Sequence, residues 1–454
     1  MTEAERVFPA RVRSRPGVAG AVPPDPDAGG TGPGVAGPAG TTGATGARKR
    51  TSRDIRSESR LDLLHAMLSV ETSTRNELAR MTGLSAATVG TLVTELLAEN
   101  LLAEAGLEAG GTGRPTTVLR INGARGHIVG IDVAETYVRA VVFDAALDEL
   151  GSAEVSLDES FASVEHIAAG VVRAVDAAVE TIGIDRRSLL GVGVALPGLV
   201  HDGTGMAGVV PSWAWRNVEL IQRLRDRMGA PIVLENPLKA IATAELWFGQ
   251  GRTSENMVIA NLGTGVGAGV VIGGRILRGA TDSAGEWGHS LLSLDGRMCR
   301  CGRRGCVEAY VGAPGILETL REVDPEHPLT ARHQREFIEA VAAAARAADP
   351  DAAVVETIDR TARYLGSALA DIAAILNPEQ LMLTGWTAWT LGDLLLPGTM
   401  QALMDRAPRG SVAGLELVIS TVRGNSVAIG VATLAFERFL GDVGLPTPQI
   451  PVAL

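Results

Sequence analysis

"GEWGHSLLSLDGRMCRCGRRGCVEAYVG", residues 285–312, is the stretch on which the fold turns. It holds Cys299, Cys301 and Cys306, the only cysteines in 454 residues. Three is odd, so a disulfide framework would leave one thiol over. Gly302 and Gly305 let the backbone fold around a centre, and His289 precedes the group. One histidine with three cysteines is a standard tetrahedral set for structural zinc. Zn2+ held by His289, Cys299, Cys301 and Cys306 is therefore the expected cofactor. Buried inert thiols or a redox pair are the other readings of the same residues.

Composition narrows the class. Hydrophobic residues make up 46% and charged residues 20%, as in ordinary globular chains. The net charge of −11 argues against a surface coated in basic residues, although a small basic module fits inside an acidic whole. There is no apolar run of membrane-spanning length and no signal-peptide core at the start. So few cysteines fit a reducing compartment, and a cytoplasmic location is expected.

Organisation follows from the N-terminus. Residues 1–47 end in "VAGAVPPDPDAGGTGPGVAGPAGTTGATGA", almost without large apolar groups. Burial cannot offset the ordering entropy of such a stretch, so a disordered tail is expected. A basic run follows, with Arg48, Lys49, Arg50, Arg53, Arg56 and Arg60. It reads as a solvated linker or as an arm along phosphates. Residues 48–122 then read as three helices and a wing. A first helix is predicted from Ser57 to Val70, with Leu61, Leu64, Met67 and Leu68 at helical spacing. In "TRNELARMTGLSAATVGTLVTELLAENLL", Gly83 supplies the turn between two helices and Ser85 caps the second. Leu84, Val89, Leu92 and Leu96 form its inward stripe, leaving Ala86, Ala87, Thr88, Gly90 and Thr91 outward. "LLAEAGLEAGGTGRPTTVLRIN" makes two strands with Arg114 near the tip. The pattern reads as a winged helix-turn-helix for DNA, or as a helical dimerisation module. For DNA, Ser85, Thr88 and Thr91 would face bases, while Arg114 and the arm with Arg53 would meet phosphates or a narrow groove.

Residues 123–440 alternate strands and helices, an α/β pattern, and 441–454 form a C-terminal tail. A Gly-rich or hairpin turn between two strands occurs twice, at "HIVGIDVAETYVRAVVFD" (127–144) and "NMVIANLGTGVGAGVVIGGRIL" (256–277). This points to two related lobes with a cleft between them.

"ENPLKA" (235–240), "LGTGVGAGVV" (262–271), "GEWGH" (285–289) and "CRCGRRGCVE" (299–308) together resemble the ROK family, named for repressors, open reading frames and sugar kinases. The resemblance covers about residues 126–440, and the module before it extends the match to the family's repressor branch. It implies a two-lobed actin/hexokinase-like fold. It also implies that Asn236, Glu286, His289 and Glu308 bind sugar hydroxyls. His289 would then serve sugar through one ring nitrogen and metal through the other.

The family's kinases need further parts. Their first phosphate loop resembles Asp-x-Gly-Gly-Thr-Lys, and here it reads Asp132-Val133-Ala134-Glu135-Thr136-Tyr137. Asp132 and Thr136 remain; the glycines and the lysine do not. The second loop, Gly263-Thr264-Gly265-Val266-Gly267, is intact, though a tight hairpin turn explains it equally. Trp386 stands where the kinases have a paired glycine. Where they carry the Asp that takes the sugar's proton, this chain has Pro237, which has no ionisable group. Lys239 reads as a solvated helix residue.

The expected function is a sugar-responsive transcriptional regulator, a repressor without kinase activity. It would bind operator DNA and a sugar or sugar phosphate as a homodimer or homotetramer. Lobe closure would change the spacing of its DNA-binding modules. The alternative is a bifunctional ATP-dependent sugar kinase carrying a DNA-binding module.

Overall fold

Apolar periodicity builds the N-terminal module. The computed structural model describes residues 52–108, 115–158, 163–201, 206–210, 213 and 215–445. The tail 1–47, the basic residues Arg48 to Arg50, Arg114 and the last nine residues lie outside these, as does the side chain of Arg53. Helix α1 (Ser52–Leu68), α2 (Arg75–Thr82) and α3 (Ala86–Ala98) bury Leu61, Leu64, Met67, Leu78, Val89, Leu92 and Leu96 between them. Strand β1 (Ser73–Thr74) joins β2 (Leu102–Glu108) and β3 (Thr116–Ile121) in a sheet of order β1-β3-β2.

The local signals act as chemistry demands. Thr74 and Glu77 close a capping box on α2, which stops at Gly83 with φ +71°. Ser85 caps α3 by accepting from the Thr88 amide at 3.1 Å. The axes of α2 and α3 turn by 114°. One expectation fails: α1 begins at Ser52, not Ser57, and ends at Leu68 rather than Val70. Arg56 and Arg60 explain the early start, because they pair with Glu95 of α3 and with Glu99, its C-cap, and tie those turns down. Part of the basic run is thus spent inside the module.

The remainder holds two five-stranded sheets. In the first lobe come β4 (His127–Val133), β5 (Tyr137–Asp144), β6 (Glu149–Ser156), α4 (Val164–Ile182) and β7 (Leu189–Ala195). A small antiparallel sheet follows, β8 (Leu199–His201), β9 (Met206–Val210) and β10 (Trp215–Val218). Then come α5 (Leu220–Met228), β11 (Ile232–Glu235) and α6 (Pro237–Phe248). The second lobe has β12 (Met257–Leu262), β13 (Val266–Ile272), β14 (Arg275–Ile276), α7 (Glu308–Val311), α8 (Ala313–Val323) and α9 (Gln334–Ala345). It continues with α10 (Ala352–Leu376), β15 (Gln380–Thr384), α11 (Trp386–Arg406) and β16 (Glu416–Ile419), and α12 (Ser426–Asp442) ends the fold.

The sheets repeat one plan. The first runs β6-β5-β4-β7-β11 and the second β14-β13-β12-β15-β16. In each, two antiparallel pairings are followed by two parallel ones. The two hairpins singled out in the sequence are β4–β5 and β12–β13, at equivalent places. No single helix among the described residues is long and apolar enough to cross a membrane.

Helix α12 returns to the first lobe and lies on β4 and β7. A methyl group added at Gly193 would sit 2.0 Å from the Val431 carbonyl oxygen, and one at Gly430 would sit 1.9 Å from that of Ala240 in α6. Backbone therefore meets backbone on both sides of α12. Its last turns, with Phe436, Phe439 and Leu440, share a core with Leu61, Leu64 and Met67 of α1. Gly193→Ala must push α12 off the sheet, since backbone cannot yield as a side chain tip can. A loss of about 2–3 kcal/mol is expected by urea unfolding, and a loss under about 1 kcal/mol would contradict the close approach.

Candidate functional site

The loop between β14 and α7 is built around its glycines. Gly305 has φ +78°, and a methyl there would meet the Ser293 carbonyl oxygen at 1.8 Å. Short bridges, Leu291 with Cys306 and Met298 with Arg304, fold the loop back on itself. This brings one ligand atom each from His289, Cys299, Cys301 and Cys306 within 4.8 Å of one another. Cys299 Sγ lies 3.8 Å from His289 Nδ1, and Cys301 Sγ lies 3.7 Å from Cys306 Sγ. Sulfurs 2.3 Å from one tetrahedral ion stand about 3.8 Å apart, so the group fits a metal ion. His289 turns Nδ1 to the cluster, which leaves Nε2 for another partner.

The start of β13 gathers the other candidates. Glu308, only 6% exposed, accepts from the Val266 amide at 3.0 Å. Its other oxygen accepts from Arg300 Nε at 3.1 Å and lies 3.4 Å from Cys299 Sγ. The Ala268 amide donates to the Gly285 carbonyl at 2.8 Å and so seats the turn Glu286–His289. Leu238, two residues past Asn236, packs its side chain under Gly267 and its carbonyl under Gly269. Asn236, His289 and Glu308 are thus fixed to one strand, with Glu286 exposed at the rim.

Asn236 caps α6. Its amide donates to the Gly198 carbonyl at 2.8 Å, and its oxygen accepts from the Leu238 amide at 2.8 Å. Lys239 departs from expectation. It is buried, not solvated, and donates to the Asp282 carbonyl at 2.5 Å. Burial holds its ammonium below the usual lysine range. Buried Glu235 beside it pairs with Arg278 at 2.6 Å, and Arg278 also approaches Asp282 at 3.6 Å.

The two hairpin tips differ. Thr136 is exposed, and its neighbour Glu135 reaches Arg300 at 3.8 Å. At the second tip, a methyl on Gly263 would lie 3.0 Å from Trp386 Nε1, and one on Gly265 would lie 2.7 Å from an Arg300 nitrogen. Thr264 donates to Gln334 at 2.7 Å. Side chains of the chain itself therefore cover this loop. Sequence reasoning passed over Arg300 and Gln334. Nothing in the sequence around Arg300 signals its carboxylate partners, and nothing at Gln334 signals a partner seventy residues away.

The Tyr137 hydroxyl donates to Asp132 at 3.0 Å, yet burial pushes the Asp132 carboxyl up to about 6 from an ordinary 3.8, so the carboxyl holds its own proton longer. The folded chain keeps that proton where the unfolded chain has released it. Stability contributed by the neutral form is full below about pH 4 and falls as pH rises to about 6. Asp132→Asn should remove this slope. Urea midpoints at pH 4.5 and pH 8 are expected to show the variant ahead by about 1–2 kcal/mol only at the higher pH.

Known proteins resemble this chain along most of its length. The chain is 26% identical over 394 residues to the xylose repressor of Bacillus spizizenii, covering 84% of this chain and 95% of the repressor. It is 30% identical over 315 residues to the glucokinase of Halalkalibacterium halodurans, covering 68% of this chain and 95% of the enzyme. The crystal structure of a ROK family transcriptional regulator, a homolog of the E. coli MLC protein, superposes with a TM-score of 0.69 at 23% identity, over 86% of this chain and 99% of that one. The sequence signature of the ROK family matches residues 128–438, and the chain belongs to that family.

Proposed function

We propose that this chain is a sugar-responsive transcriptional repressor. Residues 48–122 bind operator DNA, and Asn236, Glu286, His289 and Glu308 bind a sugar or sugar phosphate. One observation carries the reading: a helical hairpin module precedes a ROK family domain, and the sequence has Pro237 where, by resemblance, the family's kinases carry their base. Pro237 is the first residue of α6, where its fixed φ suits the helix and it offers no proton acceptor. A wall of amide, carboxylate and imidazole suits hydroxyl groups. The first sugar to try is xylose, which is in the name of the Bacillus relative.

Several features support DNA binding. An angle of 114° between α2 and α3 is usual for helix-turn-helix units. Ser85, Ala86, Ala87, Thr88 and Thr91 are exposed along α3. Their face has no cation, so Arg114 and Arg53 supply phosphate contacts and the hydroxyls and methyls read bases. A homodimer or homotetramer would present two such helices to a symmetric operator. Thr88→Glu adds a negative charge on this exposed face without touching the core. It should weaken binding to selected duplex DNA at least tenfold while leaving the melting temperature unchanged. Arg114→Ala should weaken binding too and flatten its salt dependence by about one phosphate contact.

Zinc is the ion proposed for His289, Cys299, Cys301 and Cys306. It closes a loop that a reducing cytoplasm would not let a disulfide hold, and it fixes Glu308 and His289 as the pocket wall. Metal analysis should return one zinc per chain. Cys301→Ser should lower the melting temperature and sugar affinity together; full stability without metal would end this assignment.

The similarity to glucokinases favours one second reading, a kinase that also binds DNA. Loss of a general base costs about 10²- to 10⁴-fold in rate. Trp386 and Arg300 also stand over the loop that would take phosphates. An ADP-release assay with Mg-ATP and a panel of hexoses and pentoses is expected to show no turnover. Rates near about 1 per second would promote the kinase.

A further inference from the structure

We propose that α6 carries the sugar signal to the DNA-binding module and that Trp247, on its last turn, is the positioning residue that delivers it. This rests on the repressor reading above and adds the route by which its two sites are linked.

The first turn of α6 is tied twice to the sugar wall. Asn236 is both a wall residue and the cap of α6. Its amide has bonding capacity left beyond the Gly198 carbonyl and the Leu238 amide, so a sugar hydroxyl that engages it pulls on the cap. Lys239 forms the second tie. It bonds the Asp282 carbonyl in the loop that leads to Glu286 and His289. A ligand that draws in either wall element therefore moves the same helix end.

The body of α6 transmits rather than absorbs this motion. Its Ala240 carbonyl meets Gly430 of α12 backbone to backbone, and its Leu238 carbonyl meets Gly269 of β13. Twelve residues so enclosed span about 18 Å and shift as a rod.

The last turn ends in the module. The Trp247 ring meets the His65 ring of α1 edge to face, with centroids 4.1 Å apart and planes at 68°. Trp247 and Phe248 pack on the core that includes Leu61, Leu64 and Met67 of α1 and Phe436 and Phe439 of α12. Helix α1 in turn holds α3 through Arg56 with Glu95 and Arg60 with Glu99. Each step from Asn236 to α3 is a direct contact.

The test separates coupling from binding. Full-length, metal-loaded protein is titrated with D-xylose, D-glucose and N-acetyl-D-glucosamine by calorimetry, and with a duplex selected from random DNA, with and without each sugar. Two variants are compared with the parent: Trp247→Leu, which removes the ring that meets His65, and His65→Ala, which lies on the exposed face of α1 and spares the pocket. The parent should lose DNA affinity about fivefold or more on binding its sugar. In both variants sugar affinity and sugar-free DNA affinity should stay within about twofold, while the sugar effect on DNA shrinks to about twofold or less. If the variants keep the full effect, or if sugar and DNA affinity fall together as a merely structural role would require, the route through α6 is wrong and the repressor reading stands. If no sugar in the panel changes DNA binding by the parent, both fall.

Discussion

The architecture depends on how closely α12 is seated. Gly193 below it and Gly430 within it bring backbone against backbone, with the first sheet on one side and α6 on the other. No side chain stands between to cushion a shift. The same helix then extends beyond the sheet, and Phe436 and Phe439 enter the core of the N-terminal module. The module is therefore not a bead on a loose linker. Its orientation is set by the same helix that packs against α6.

Glu308 plays the corresponding part in the site. It is a buried carboxylate with an amide, a guanidinium and a cysteine sulfur around it. Burying a charge is costly unless it is paired, and here the pairing also joins three separate features. The Val266 amide belongs to the second hairpin, Arg300 and Cys299 to the metal loop. Arg300 reaches further, to Glu135 at the tip of the first hairpin. Arg300 thus links both hairpins through paired charges of the chain itself.

Much of this was legible beforehand because it rests on short-range chemistry. The metal set is visible because Cys299, Cys301 and Cys306 are close in sequence and His289 is only ten residues away. The caps Thr74 and Ser85, the turn at Gly83 and the inward stripe of α3 follow from local bonding and periodicity. Pro237 carries no ionisable group whatever the fold around it. The repeated hairpins announce two lobes, although the identical order and polarity of the two sheets appears only when the strands pair.

The rest is decided by residues far apart in the chain. The start of α1 was misplaced because Arg56 and Arg60 are held by Glu95 and Glu99, 39 residues on, and no helical propensity encodes that. Lys239 looked solvated because charge predicts exposure, but the loop at Asp282 folds over it. Arg300, Gln334 and Trp247 carry no motif, and their parts exist only through partners in other elements. The sequence alone determined the residue chemistry available: one histidine and three cysteines at ligand spacing, a proline at position 237 and a helical hairpin. Tertiary structure decided which of these touch, because close packing and the pairing of buried charges are satisfied across the whole fold and not within any one segment.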